Sequence, residues 1–433
     1  MHTNKRFEWF GVFVLMACVL IFITGVASSP FSWNAAQHWG AALAFAFLGA
    51  AALFAGLGKT LDEKIGLCFL GWFAVSSALR GDLWLENSWQ AFGEYACVFG
   101  AALPAARLLG KKAKTPVALS AILLPAALAA IAVLASLTVD AVYVPYIRTA
   151  AGVTGENGQR LQVGSHPNGA AAMFLVALLL CLWLLVHCRR RWLCIVIIPM
   201  MIGLYVAIAL TVSRTIMIQV AFAAALIAAV LLYDRVRLKG WKRIALCGVL
   251  AVVVLATVYK GFGLATQLSA WLKGVAVDTE AIVDERPLMN DLFTMTGRTN
   301  IFGWVFEMIA KDPKVLVIGA TPEQLREALT WAFHTHNAYL QCLVMCGLPG
   351  LAMAVWFSLR ALWAAWRVLP GKYALADKLM ALIPLAMLPN AISEIFLFAD
   401  GMALYNTVFF FCLGYAVMTA QKNGSNQKEP SNA

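Results

Sequence analysis

The sequence predicts an all-α integral membrane protein with about twelve transmembrane helices, and three observations predict it. Of its 433 residues, 62% are hydrophobic and only 13% are charged, whereas globular domains run at about 45–50% and about 25%. The mean hydropathy is +0.78. The apolar residues are also gathered into long uncharged runs, and about 20 such residues cross a bilayer. Together these features exclude a soluble enzyme, a nucleic-acid-binding domain, a disordered tail and a disulfide scaffold.

The runs that qualify, in order, are 8–27, 37–58, 64–79, 91–107, 116–137, 168–187, 192–212, 214–232, 243–261, 337–359, 376–398 and 402–420. The first follows Lys5 and Arg6 and reads as a retained span, because its apolar stretch is long for a signal peptide and further spans follow. Orientation comes from Lys and Arg in the connections. Of the 33 such residues, 22 fall on the side that holds both termini, in clusters such as Arg107–Lys114, Arg189–Arg191 and Arg235–Arg243. The short loops of the other side hold four: Arg80, Arg148, Arg160 and Arg214. Both termini are therefore expected in the cytoplasm. The same asymmetry explains the net charge of +11 without a nucleic-acid partner.

The domain layout follows from the spacing. Residues 1–261 hold nine spans, 262–336 form the one large outer (periplasmic) loop, 337–420 hold the last three spans, and 421–433 read as a disordered cytoplasmic tail. Two short helices are expected in the large loop. Ile301, Trp304, Val305, Met308 and Ile309 recur at helical spacing. Thr321–Pro322–Glu323–Gln324 then reads as an N-cap, a proline at the first helical position and the closing residue of a capping box. A second outer segment runs over 138–167. None of the ten cysteines lies in an outer loop, so no disulfide framework is expected there. Cys342 and Cys346 share a helix face without a second ligand pair, which marks them as packing residues.

The span centres are nearly free of charge. Glu394, after Pro389–Asn390, is the main exception, and it suits an arginine partner or helix packing equally well. Polar residues gather instead at the outer mouth: His166, His334 and His336, with Arg148, Arg160, Arg214 and Arg298. Three inward-running spans begin there with capping chemistry, at Ser165–His166–Pro167–Asn168, Ser213–Arg214 and His336–Asn337. Helix N-termini present unpaired N–H groups and about half a positive charge, so with arginines among them they suit an anionic group such as a pyrophosphate. Plainer readings stand beside this one. An arginine at a helix end can snorkel to the headgroups, or serve a loop salt bridge in the case of Arg298, and a lone histidine is more often structural than catalytic. The His334–His336 pair lacks an Asp, Glu or Cys cluster, so no metal is expected.

These residues also carry a resemblance. Thr296–Gly297–Arg298, Trp304, Asp312–Pro313 and Gly319, followed by His336–Asn337–Ala338–Tyr339–Leu340 and Gly347–Leu348–Pro349–Gly350–Leu351, resemble the core signature of the O-antigen ligase/polymerase superfamily. Arg160, Gly164, Pro167–Asn168 and Ser213–Arg214 are similar to two further features of it. The family's Gly-rich turn is here Lys314–Val315–Leu316–Val317–Ile318–Gly319.

The resemblance implies a metal-independent, cofactor-free glycosyltransferase of the bacterial inner membrane, with its active site facing the periplasm. Such an enzyme moves a glycan from undecaprenyl diphosphate to lipid A–core (a ligase), to another glycan (a polymerase) or to protein (an O-oligosaccharyltransferase). It implies His336 as the base for the acceptor hydroxyl, with Arg214 and Arg298 acting on the diphosphate. Arg148, Arg160, His166, Asn168, Ser213, His334 and Asn337 would bind substrate. The contrasting class is a polytopic transporter or flippase, which would line a central path with polar residues. A topology reporter active only outside the cytoplasm is expected to be active when fused after Ala270 or Ala320 and silent after Lys112 or Lys239; the opposite pattern would overturn the orientation.

Overall fold

A computed structural model describes residues 56–107 apart from 84 and 105, then 141–150, 153–163, 167–187, 191–235 apart from 212, seven separate positions within 241–260, 298–329, 334–398 apart from 372, and 403–426. The expected first and fifth spans, nearly all of the second, most of the ninth, residues 262–297, His166 and both chain ends lie outside them.

In chain order the elements are α1 (Leu61–Arg80), α2 (Glu86–Cys97) running into a π-helical turn (Val98–Ala102), β1 (Ala141–Ala150), β2 (Val153–Val163), α3 (Pro167–His187), α4 (Arg191–Leu210), α5 (Arg214–Arg235), α6 (Arg298–Lys311), α7 (Val315–Ile318), α8 (Pro322–Ala328), α9 (Ala338–Val368), α10 (Leu375–Met387), α11 (Asn390–Ser393) and α12 (Ala403–Asn426). Among the described residues, four helical stretches are long and apolar enough to cross a membrane: Asn168–Val186, Thr215–Leu232, Ala338–Val368 and Leu375–Ser393. Cys194–Leu210 is a shorter apolar helix.

Three elements differ from the sequence expectation. The outer segment 138–167 contains an antiparallel hairpin, in which Val144 pairs with Arg160 and Arg148 with Gly155. Valine, tyrosine, isoleucine and threonine in β1 favour a pleated strand, and only Ala151 and Gly152 separate β1 from β2. The run 376–398 is helical to Met387, resumes as the single turn α11 and is irregular beyond Ser393, because Pro389 cannot donate to the helix ladder. Residues 421–426, expected in a disordered tail, continue α12 to Asn426.

The described elements fall into two compact units. One holds the hairpin, α3, α4 and α5, with α3 packed on α4, α5 and β2. The other holds α1, α2, the π-helical turn and the chain from Ile301 onward, and α9 is its centre, touching α1, α7, α10, α11 and α12. Ile301, Val305 and Met308 of α6 close over Val315, Ala320, Leu329 and Val344, which seats the short helices of this region on α9. The capping box read from the sequence is present, with Thr321 and Gln324 each bonding the other's backbone N–H. An aromatic chain through Phe69, Tyr95, Phe99, Phe357 and Phe410 ties α1, α2, the π-helical turn, α9 and α12 together.

At the start of α1, two carboxylates enter the apolar interior with guanidinium partners. Glu63 accepts from Arg107 at 2.5 Å, and Asp62 accepts from Arg360 and from the Trp356 indole N–H at 3.0 Å. All four charged residues belong to the side that the charge count makes cytoplasmic. Removing one partner of a buried pair leaves an uncompensated charge and costs about 3–5 kcal/mol, while an exposed pair is worth about 0–1 kcal/mol. Glu63→Ala is therefore expected to lower the thermal midpoint in detergent sharply, and Glu307→Ala, in the exposed Glu307–Lys311 pair, to leave it nearly unchanged. Equal midpoints for the two variants would refute this ranking.

Candidate functional site

The segment His334–Thr335–His336–Asn337 turns the chain into α9. Asn337 is the N-cap, and its side-chain oxygen accepts from the Leu340 N–H at 3.0 Å. Its amide nitrogen donates to the Ile392 carbonyl at 3.0 Å, tying the start of α9 to α11. Both ends of the Asn337 amide are thus engaged, one in the turn and one on α11. Thr335 is buried, its hydroxyl donating to the Asn337 carbonyl at 2.8 Å and its N–H to the Gln341 side chain at 3.1 Å.

This tight turn forces His336 to φ 51°, a left-handed conformation uncommon outside glycine and found at sites that the surroundings over-determine. The imidazole is thereby turned toward the chain after α11. Glu394 Oε2 lies 3.5 Å from His336 Nδ1, and the carboxylate is 1% exposed, against 22% for the imidazole. The His334 and His336 rings meet edge to face, their centroids 4.1 Å apart. A partly open imidazole therefore stands over a buried carboxylate, with a second imidazole beside it. Phe398, four residues past Glu394, also has a left-handed backbone, at φ 68°. Its N–H donates to Asn406 and its carbonyl accepts from the Tyr95 hydroxyl, so the chain that carries Glu394 is fixed on both sides.

Glu394 is the functional candidate whose role the sequence left open. The available signal was a lone carboxylate near the end of an apolar span that a Pro–Asn pair interrupts. Among the described residues, no group of three or more His, Cys, Asp or Glu side chains forms a metal-binding cluster.

The other candidates lie in the unit that holds the hairpin, α3, α4 and α5. Ser213 immediately precedes α5 and begins its ladder, since its carbonyl accepts from the Met217 N–H at 3.0 Å. Its side-chain oxygen is buried without a hydrogen-bond partner. Arg214 is the first residue of α5, Asn168 lies in the first turn of α3, and Arg160 and Arg148 sit in β2 and β1. The elements that carry Arg160, Asn168 and Arg214 meet through α3. Arg298 is the first residue of α6. The sequence thus placed Arg214 and Asn337 correctly at helix starts, while Arg298, read as a loop residue, begins α6.

Residues 200–355 match the family model described as O-antigen ligase. That stretch contains Ser213, Arg214, Arg298, His334, His336 and Asn337, and over it the chain resembles the O-antigen ligase/polymerase superfamily. No curated protein matches the chain.

Proposed function

We propose that the protein is a glycosyltransferase of the bacterial inner membrane. It moves a glycan from undecaprenyl diphosphate to an acceptor hydroxyl at the periplasmic face, and lipid A–core is the acceptor in the ligase reading. The observation that carries the proposal is the pairing of His336 with buried Glu394 at the start of α9, within the stretch that matches the O-antigen ligase family model. A histidine able to act as a base needs a third group to hold its ring, and a buried carboxylate facing one nitrogen supplies that.

In this reading Nδ1, 3.5 Å from Glu394 Oε2, is the nitrogen the carboxylate orients, and Nε2 takes the proton from the acceptor hydroxyl. The acceptor oxygen then forms its bond to the anomeric carbon of the glycan as the bond from that carbon to the diphosphate oxygen breaks. The departing lipid diphosphate keeps the electron pair, and fixed positive charge stabilises it best. Arg214 and Arg298, each the first residue of a helix, are assigned that role, and a helix N-terminus adds its own unpaired N–H groups. Arg148, Arg160, His166, Asn168, Ser213, His334 and Asn337 complete the proposed substrate contacts. The chemistry uses an already activated donor, so neither a nucleotide nor a metal enters it.

The test is transfer from a lipid-diphosphate glycan by purified variants in the presence of EDTA. A general base contributes about 10²–10⁴-fold, so His336→Ala is expected to be nearly inactive while folded and donor-binding, and His334→Ala to keep substantial activity. Lysine lacks the planar two-pronged guanidinium, so Arg214→Lys and Arg298→Lys are each expected to lose about 30- to 1000-fold in rate. Wild-type activity of His336→Ala would refute the base assignment, and strong EDTA inhibition would point to a metal at the histidine pair.

A further inference from the structure

α9 is interrupted nine residues from its start. Gly347 has φ 70° and ψ −162°, values outside any helix, so the 31-residue element is a half-helix Ala338–Cys346 followed by a longer one. A Cβ at Gly347 would collide with the backbone of Val317, and one at Gly319 (φ 85°) with the backbone of Met345. Glycine at both positions lets the 316–320 segment lie directly on the break.

The break leaves carbonyls without helix partners, and each finds a donor elsewhere. Val344 O accepts from the Ala320 N–H at 2.6 Å, and Cys346 O from the Trp72 indole N–H at 2.9 Å. Met345 O accepts from Arg80 Nη1, which also donates to Ile318 O. The rest of the guanidinium is committed too: Nε donates to Asp82 at 3.0 Å, and Nη2 to Ser77 at 3.0 Å and Asp82 at 3.3 Å. These contacts use the full donor set of an arginine, and the Arg80 side chain is 4% exposed. An arginine counted from the sequence as an outer-loop charge is thus a buried staple between the end of α1, the outer segment and the break.

The half-helix is held at both ends. Asn337 and Thr335 shape its start, where His336 stands, and Arg80, Trp72 and Ala320 hold its end. We propose that Arg80 is a positioning residue for the transfer reaction: through the break at Gly347 it sets the half-helix that carries His336 at its head. The inference rests on the reading of His336 as the base. Arg80 lies outside the 200–355 stretch that matches the family model, and it acts on the geometry of the site without touching substrate.

Small displacements of a reacting group can cost about 10²-fold in rate. Arg80→Lys keeps the charge but cannot reach both carbonyls, Ser77 and Asp82 together. Its kcat for transfer from a lipid-diphosphate glycan is expected to fall about 10- to 100-fold, with the donor KM within about twofold of wild type. The decisive readout is the same substitution in the His336→Ala background. Loss of base alignment has nothing left to misalign there, so Arg80→Lys is expected to cause no further drop in the residual rate. A drop by the same factor in both backgrounds would make Arg80 a stability residue and overturn the inference, as would a wild-type kcat for Arg80→Lys. Asp82→Asn, which keeps Arg80 and removes its countercharge, is expected to show a smaller kcat loss, about 3- to 10-fold, that also vanishes in the His336→Ala background. A wild-type kcat for Asp82→Asn would overturn the inference where Arg80→Lys does not fold. Full activity of His336→Ala refutes the base reading and the Arg80 inference together, whereas inactive His336→Ala beside fully active Arg80→Lys refutes the Arg80 inference alone.

Discussion

A backbone carbonyl released inside an apolar helix bundle must find a donor from the protein itself, and the break in α9 releases several at once. The described core around His336 depends on how that demand is met. Ala320 brings the outer segment down onto Val344, Arg80 joins Met345 and Ile318, and Trp72 covers Cys346. The consequence is that helices α6 to α8 are registered on a long apolar helix, with Val344 inside the apolar cluster they share. The interruption also separates a nine-residue half-helix from the rest of α9, so its N-terminal end can serve chemistry while the longer part serves packing. A continuous helix would have needed no staple and offered no seat for the outer segment.

The same logic governs the charges. Interior carboxylates persist here because each has a dedicated partner: Glu63 has Arg107, Asp62 has Arg360, and Asp82 has Arg80. Glu394 is as buried as Glu63, and an imidazole nitrogen lies 3.5 Å from it. A guanidinium is permanently charged and locks its partner, whereas an imidazole can gain and lose a proton. That property is why His336, beside Glu394, is the residue proposed as the base. The strained backbone at His336 and Phe398 agrees with it, because the surrounding hydrogen bonds hold both residues in conformations that few side chains adopt unaided.

Much of the architecture was legible because it rests on local rules. Long apolar runs gave α3, α4 and α5 nearly to their ends and α9 at its start, though α9 runs past the expected 359 to Val368, and the Thr321–Gln324 capping box was read residue by residue. Asn337 as a helix start followed from side-chain chemistry alone. The tertiary part was not legible. Gly347–Leu348–Pro349–Gly350 could be recognised as a motif, but its meaning as a helix break lies in contacts to Trp72, Arg80 and Ala320, and the first two are far away in sequence. Arg80 looked like any outer-loop arginine, since nothing around it encodes a carbonyl some 265 residues later. Glu394 was visible as an anomaly, but its partner was not, because the turn that aims His336 is set by Thr335, Asn337 and Ile392 together.

The central claim is that a lipid-diphosphate glycan is cleaved and its sugar transferred, with His336 taking the acceptor proton. The most direct measurement is a mass balance with the purified protein in liposomes loaded with undecaprenyl-diphosphate-linked glycan and an acceptor glycolipid, with no nucleotide sugar present. The account predicts that free undecaprenyl diphosphate and glycosylated acceptor appear in equal amounts, and that neither accumulates with His336→Ala. Glycan that reaches the opposite leaflet still joined to its diphosphate, with no acceptor modified, would contradict it.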